Sequence, residues 1–340
     1  MKKALVVGID NYPAKPLSAC VSDARELAKL FARHGDGEPN FDVELLTAPV
    51  PKPDGTVPDP EDPDMEMSKS SITKILLSKK IHELFTGDSD IQLFYFAGHG
   101  TITSVGGYID SSDSQSYDEG VAMDEVLDYA NQSKARERVI ILDCCHSGAF
   151  GSPNVGGSKV CELSEGMVVL TAARDSEESK EDKNGHGVFT SLLMEALTGA
   201  AADLLGQVTP GAIYHYVDQA LGSWEQRPIF KTNVTSWTPL RTVPPGPDSP
   251  AIARETLRRI VNHFPQPEEE YNLAPAYEST AAGNDPAKVT IFKDLQAFAG
   301  VDLVVPVGEQ QMYWAAMNSK SCKLTALGKR YWHLVKHNRV

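Results

Sequence analysis

Two short apolar runs, each halting at a reactive side chain, constrain this 340-residue chain more than any other feature. The first is Ile91-Gln92-Leu93-Phe94-Tyr95-Phe96-Ala97, which ends in Gly98-His99-Gly100. The second is Arg138-Val139-Ile140-Ile141-Leu142, which stops at Asp143-Cys144-Cys145-His146-Ser147-Gly148. Runs of this length, rich in β-branched and aromatic residues and bounded by small residues, are strands buried on both faces. If the two are neighbours in a parallel sheet, a histidine and a thiol stand together at its carboxyl edge, where ligands of open α/β sheets bind.

The rest of the first 237 residues has the same rhythm. Lys3–Ile9 and Phe41–Thr47 predict strands, and Met167–Thr171 predicts another. Helical spacing of apolar residues predicts helices over 18–34, 71–85, 123–131, 188–197 and 210–221, the last opening on a proline. Strand and helix alternate, so the expectation is an α/β fold: a mostly parallel sheet flanked by helices on both faces. Residues 48–68 hold six prolines and no periodicity, which predicts a long exposed insertion. Residues 238–250, with five prolines, predict a linker between a domain over 1–237 and a second over 251–340.

Composition narrows the function classes. The net charge of −14 is carried by the first 250 residues, which argues against nucleic-acid binding there and is compatible with basic peptide partners. No apolar run reaches the roughly 18 residues of a membrane span, and the start has no leader pattern, so a cytoplasmic protein is expected. Five cysteines, irregularly spaced, do not make a disulfide framework.

A thiol is a poor nucleophile until it loses its proton, so a histidine within reach turns it into a catalyst. His99 as base and Cys145 as nucleophile therefore predict a cysteine peptidase working through an acyl-enzyme. The Gly100 and Cys145 amides are the expected oxyanion hole, and Gly98 and Gly100 admit close approach of substrate. The neighbouring residues Cys144 and His146 raise the alternative of a metal site, but the two-to-four-residue spacing of structural zinc ligands is missing.

FYFAGHG followed by IILDCCHSGAF is similar to caspases and metacaspases, closer to metacaspases and other prokaryotic caspase homologues. Leu17-Ser18-Ala19-Cys20-Val21-Ser22-Asp23-Ala24 resembles the metacaspase segment after strand one. Val168–Ala173 and Gly187-Val188-Phe189-Thr190 resemble the small-subunit half. The resemblance implies a caspase-like α/β fold with His99 as base and Cys145 as nucleophile. Cys144 takes no catalytic role, because its position is often serine.

The resemblance also bears on specificity. Where animal caspases carry glutamine two places before the nucleophile, this chain has Asp143, and Asp23 matches the second acid of the metacaspase pocket. Two carboxylates repel acidic residues and pair with Arg or Lys, so substrates cut after Arg or Lys are expected. Lys159, Arg174, Lys180 and Lys183, in charged loops, are candidate self-cleavage sites. Asp110, Asp113 and Asp118 lie where some metacaspases bind calcium, which is the one cofactor the likeness suggests.

Residues 251–340 carry 11 basic and 9 acidic side chains and end in a run of lysines and arginines without an acid. Their order of helices, a short apolar strand and a closing aromatic helix is similar to winged-helix modules attached to prokaryotic defence or cell-death effectors. The expected role is recruiting a sensor or activator protein. The modest charge disfavours the alternative of recruitment by nucleic acid, and the aromatics are expected in the core. A catalytically silent caspase-fold scaffold is the rival from another class, disfavoured because both dyad residues are present.

Overall fold

The structure is a computed structural model that describes residues 1–103, 106–115, 120–144, 163–172, 186–221, 228–246 and 251–340. It divides into two compact units. Unit one is 1–201 with 207–243, and unit two is 202–206 with 244–340.

Unit one runs β1 (Lys2–Ile9), α1 (Cys20–Ala32), β2 (Asp42–Ala48), β3 (Glu66–Ser68), α2 (Lys74–Thr86), β4 (Ile91–Ala97), β5 (Gly100–Thr103), β6 (Gly106–Ile109), β7 (Val121–Ala122), α3 (Met123–Gln132), β8 (Glu137–Asp143) and β9 (Met167–Thr171). It continues through α4 (Val188–Glu195), β10 (Gln207–Val208), α5 (Pro210–Ala220), β11 (Ile229–Asn233) and β12 (Arg241–Thr242). Seven strands form one sheet in the order β11-β9-β8-β4-β1-β2-β3, parallel except for β11. Every residue of β4 and β8 is buried, as the two unbroken apolar runs require.

Side-chain alternation sorts the strands onto two faces. Phe94 and Phe96 of β4, Ile140 and Leu142 of β8, and Cys144 share one cluster with Leu77, Ile81 and Phe85 of α2 and Val126 and Leu127 of α3. The residues between them, Tyr95 and Asp143, meet Thr190 of α4 on the opposite face. α1 packs against β1, β2 and β4 and also meets α4, which in turn packs on α5. The α1–α4 face is the one that carries the acids.

The region expected to be a bare insertion ends in the edge strand β3. Glu66 of β3 is buried and accepts from Arg25 Nη2 at 2.8 Å, Thr47 Oγ1 at 2.6 Å and the Glu61 amide at 2.9 Å. Three donors satisfy a carboxylate that sequence periodicity had no means of placing. The expected linker also begins later than its prolines suggested. Arg241 and Thr242 pair with Val208 and Gln207, and Arg241 Nη1 donates to the Leu197 carbonyl at 2.7 Å, so those residues belong to unit one.

Unit two has α6 (Arg254–Arg258), α7 (Ile260–His263), β13 (Glu270–Asn272), α8 (Pro286–Gly300), β14 (Val304–Val307), α9 (Met312–Met317), β15 (Ser321–Leu324) and α10 (Ala326–Lys336). Its antiparallel sheet has the order β13-β15-β14. Its core gathers Phe264, Phe292, Leu295, Phe298 and Trp332, and the Trp332 indole donates to the Phe264 carbonyl at 2.6 Å. Residues 254–263 form two short helices, α6 and α7, rather than one. Of the aromatics expected inside, Tyr331 and Trp332 are buried, whereas Tyr313 and Trp314 are exposed. The six-residue α9 turns Met312, Ala315 and Ala316 inward, which leaves its two aromatics outward.

Gly8 lets α1 lie against β1. A Cβ there would stand 2.3 Å from the Cys20 carbonyl oxygen and 2.7 Å from the Ala24 Cβ. Gly8→Ala is expected to push α1 off the sheet and destabilise the protein by about 1–3 kcal/mol, read as a lowered urea midpoint.

Candidate active site

The parallel register of β4 on β8 ends at the pair Ala97 and Asp143. The Gly98 amide adds one more bond, to the Asp143 carbonyl, at 3.3 Å. His99 comes two residues after that last pair on the β4 side, and in sequence Cys145 comes two residues after it on the β8 side. Cys145 itself lies outside the described residues, as do Lys159, Arg174, Lys180, Lys183 and Asp118.

His99 is held on two sides. Its amide donates to the Tyr12 hydroxyl at 3.0 Å, and the Tyr12 and His99 rings stand 4.5 Å apart between centroids. Its Nε2 is 2.7 Å from the Lys15 carbonyl oxygen. A carbonyl only accepts, so in the neutral ring Nε2 carries the hydrogen and Nδ1 keeps the lone pair of a base. Neither partner had a sequence signal. Lys15 acts through its backbone, and Tyr12 comes from the loop after β1. Gly98 serves this contact as well, since a Cβ there would meet the Tyr12 hydroxyl at 2.4 Å. Gly100 opens β5 and is half-buried.

The two acids singled out in sequence converge. Asp23 in the first turn of α1 and Asp143 at the end of β8 are both buried. Their Oδ2 atoms lie 3.4 and 3.1 Å from the point a Cβ on Gly187 would occupy. Asp23 Oδ1 pairs with His186 Nδ1 at 2.5 Å, and its Oδ2 accepts the Gly187 amide at 3.1 Å. Asp143 Oδ2 accepts from Thr190 Oγ1 at 2.6 Å. Burial raises the Asp143 carboxyl to about 6 against the pull of Thr190, and Asp23 adds to the rise.

Asp10, just past β1, is a third acid in this neighbourhood. Its carboxylate accepts the first amides of α1, Cys20 at 2.9 Å and Val21 at 3.4 Å, where the helix has no cap of its own. Burial pushes it up to about 6 as well. Asp10 ends an apolar strand in plain view, but nothing in the sequence says that α1 returns to it.

The described thiols are unsuited to attack. Burial pushes Cys20 well above the ordinary thiol range, with Asp10, Asp143 and Asp23 adding to the rise, and pushes Cys322 to about 12. Cys144 is 1% exposed within the α2–α3 core, as strand alternation requires of a residue next to Asp143. The acids suggested for calcium are engaged internally. Asp110 accepts from Thr101 at 2.7 Å, and Asp113 accepts from Ser111 at 2.7 Å and from the Lys74 amide at 2.9 Å. Among the described residues, no three His, Cys, Asp or Glu side chains are grouped to hold a metal ion.

At the carboxyl edge of the parallel sheet His99 follows β4, Asp143 ends the adjacent β8, and α1 brings Asp23 beside it, which is where open α/β sheets bind ligands. The sequence matches the caspase-domain family over residues 1–237, and the chain belongs to the caspase family of cysteine peptidases. Among solved structures it is similar to caspase-1 from Spodoptera frugiperda, with a TM-score of 0.48 and 13% identity over 72% of this chain and 91% of that one. No curated sequence matches the chain in a direct search. No helix among the described residues is long and apolar enough to cross a membrane.

Because Asp10 has a folded-state pKa of about 6 against an ordinary 3.8, the native chain holds more protons than the unfolded one between those values. Its contribution therefore favours the fold at low pH and is lost as pH rises through 6. Asp10→Asn removes that term, so the stability of the variant relative to the parent is expected to rise between about pH 4 and about pH 7, measured as urea midpoints.

Proposed function

We propose that the protein is an endopeptidase that cuts after Arg or Lys, with Cys145 as nucleophile and His99 as base. The observation that carries this reading is the convergence of Asp23 and Asp143 beside the strand end that bears His99. Two buried carboxylates in a medium of low polarity attract a cation far more strongly than in water and repel an acidic side chain. At neutral pH an Asp143 of pKa about 6 is ionised and ready for that cation.

The chemistry then follows from the residues in hand. His99 Nδ1 takes the proton of the Cys145 thiol, and the thiolate attacks the carbonyl carbon of the peptide bond after the basic residue. The oxyanion collects at the Gly100 and Cys145 amides. His99 returns the proton to the leaving amine, and water then hydrolyses the thioester with His99 again as base. The Lys15 carbonyl keeps Nε2 protonated and the ring aimed throughout. Cleavage within the chain at Lys159, Arg174, Lys180 or Lys183 would follow from the same specificity. Residues 251–340 are the segment assigned to a sensor or activator protein, and the exposed Tyr313 and Trp314 are its available contacts.

On a panel of fluorogenic peptides, cleavage is expected after Arg and Lys and not after Asp, and to be abolished in Cys145→Ala. The kcat/KM for an Arg peptide is expected to fall as pH drops through about 6, where Asp143 loses its charge. Preference for Asp peptides, or retained cleavage by Cys145→Ala, would sink the assignment.

A further inference from the structure

A line of hydroxyls runs from the centre of the sheet to the specificity acid, and the dyad chemistry does not use it. Tyr95, fully buried in the middle of β4, has its hydroxyl 2.7 Å from Thr190 Oγ1. Thr190, also fully buried in the first turns of α4, is 2.6 Å from Asp143 Oδ2. An ionised carboxylate only accepts, so Thr190 donates to Asp143, and its oxygen is left to accept from Tyr95. The direction of both hydrogens is thereby fixed.

We infer that Thr190, oriented by Tyr95, is the positioning residue that aims Asp143 at a basic side chain and so sets specificity for the residue before the cut. This rests on the reading of Asp23 and Asp143 as the acidic pocket. Three features support it. The hydrogen bond engages a single oxygen of Asp143, which fixes the rotation of the carboxylate. Thr190 is β-branched and sits in a helix, where its side-chain torsion has few choices. The same segment also grips the other acid, through His186 Nδ1 and the Gly187 amide on Asp23. Residues 186–190 thus hold both carboxylates, and Thr190 is the member that answers to Asp143.

The charged and titratable groups around Asp143 come from four elements. They are Cys20 and Asp23 of α1 and Tyr95 of β4, with Asp10 after β1 and His186 ahead of α4 acting next on Asp23. Asp23 opposes a charge on Asp143. The Thr190 hydroxyl favours it, because it donates to the ionised form.

The test compares the full-length protein with its Thr190→Val, Thr190→Ser and Tyr95→Phe variants on paired peptides carrying arginine or citrulline, its neutral isostere. For Thr190→Val, kcat/KM on the arginine peptide is expected to fall about tenfold or more, mainly through KM, as suits a lost bond to a charged group. The arginine-to-citrulline ratio falls with it, and the acid limb of the pH profile moves up by about one unit. Thr190→Ser restores all three, and Tyr95→Phe shifts them in the same direction by less. An unchanged ratio and acid limb in Thr190→Val, or a Thr190→Ser protein that behaves like the valine variant, overturns the proposal. If Thr190→Val does not fold, Tyr95→Phe carries the test, and an unmoved ratio there overturns it equally. A wild-type protein that cuts citrulline and arginine peptides alike would instead remove the acidic-pocket reading itself.

Discussion

The parallel pairing of β4 with β8 is the constraint on which the rest of unit one depends. Both strands are buried along their whole length, so their backbone groups have to bond to neighbouring strands, and one register does this. A slip of β8 by one residue would turn Asp143 into the apolar α2–α3 cluster and Leu142 and Cys144 onto the acidic face. Packing and chemistry therefore select the same register. It carries His99 and the chain leading to Cys145 to one edge of the sheet.

That edge concentrates negative charge where a fold ordinarily avoids it. Asp10, Asp23 and Asp143 are all buried near the carboxyl ends of β1 and β8 and the start of α1. Backbone amides of α1 donate to Asp10, the Gly187 amide and His186 meet Asp23, and the Thr190 hydroxyl donates to Asp143. By contrast, Glu66 on the sheet edge and Asp294 in unit two each pair with an arginine and are held below the usual carboxylate range, although burial opposes this in both. A carboxylate already paired with an arginine has little attraction left for a second cation.

Much of this was legible in the sequence, and the gaps have a common cause. The central strands and the helices over 20–32, 74–86 and 123–132 follow from local periodicity, and the resemblance to metacaspases singled out Asp23 and Asp143 beside the Gly-flanked His99. Strand β3 was hidden because three residues, after a proline-rich stretch, give no period to read. Lys15, Tyr12, His186 and Thr190 were hidden because their partners are remote in sequence: Thr190 is 47 residues from Asp143, and His186 is 163 from Asp23. The end of unit one was misplaced for a similar reason. The pairing of residues 241–242 with 207–208 is invisible in a run of prolines.

By itself the sequence determined which strands are buried on both faces and which reactive residues end them, because apolar runs and their terminators are local facts. It also determined, through side-chain alternation, that Asp143 and Cys144 point to opposite faces once the strand forms. Only the tertiary structure decided that Asp23 and Asp143 meet at Gly187, that the Lys15 carbonyl orients His99, and that Thr190 reaches the acid from α4. Those contacts depend on how α1 and α4 lie across the sheet. That placement is fixed by packing at sites such as Gly8, summed over many residues distant in sequence, and no single stretch encodes it.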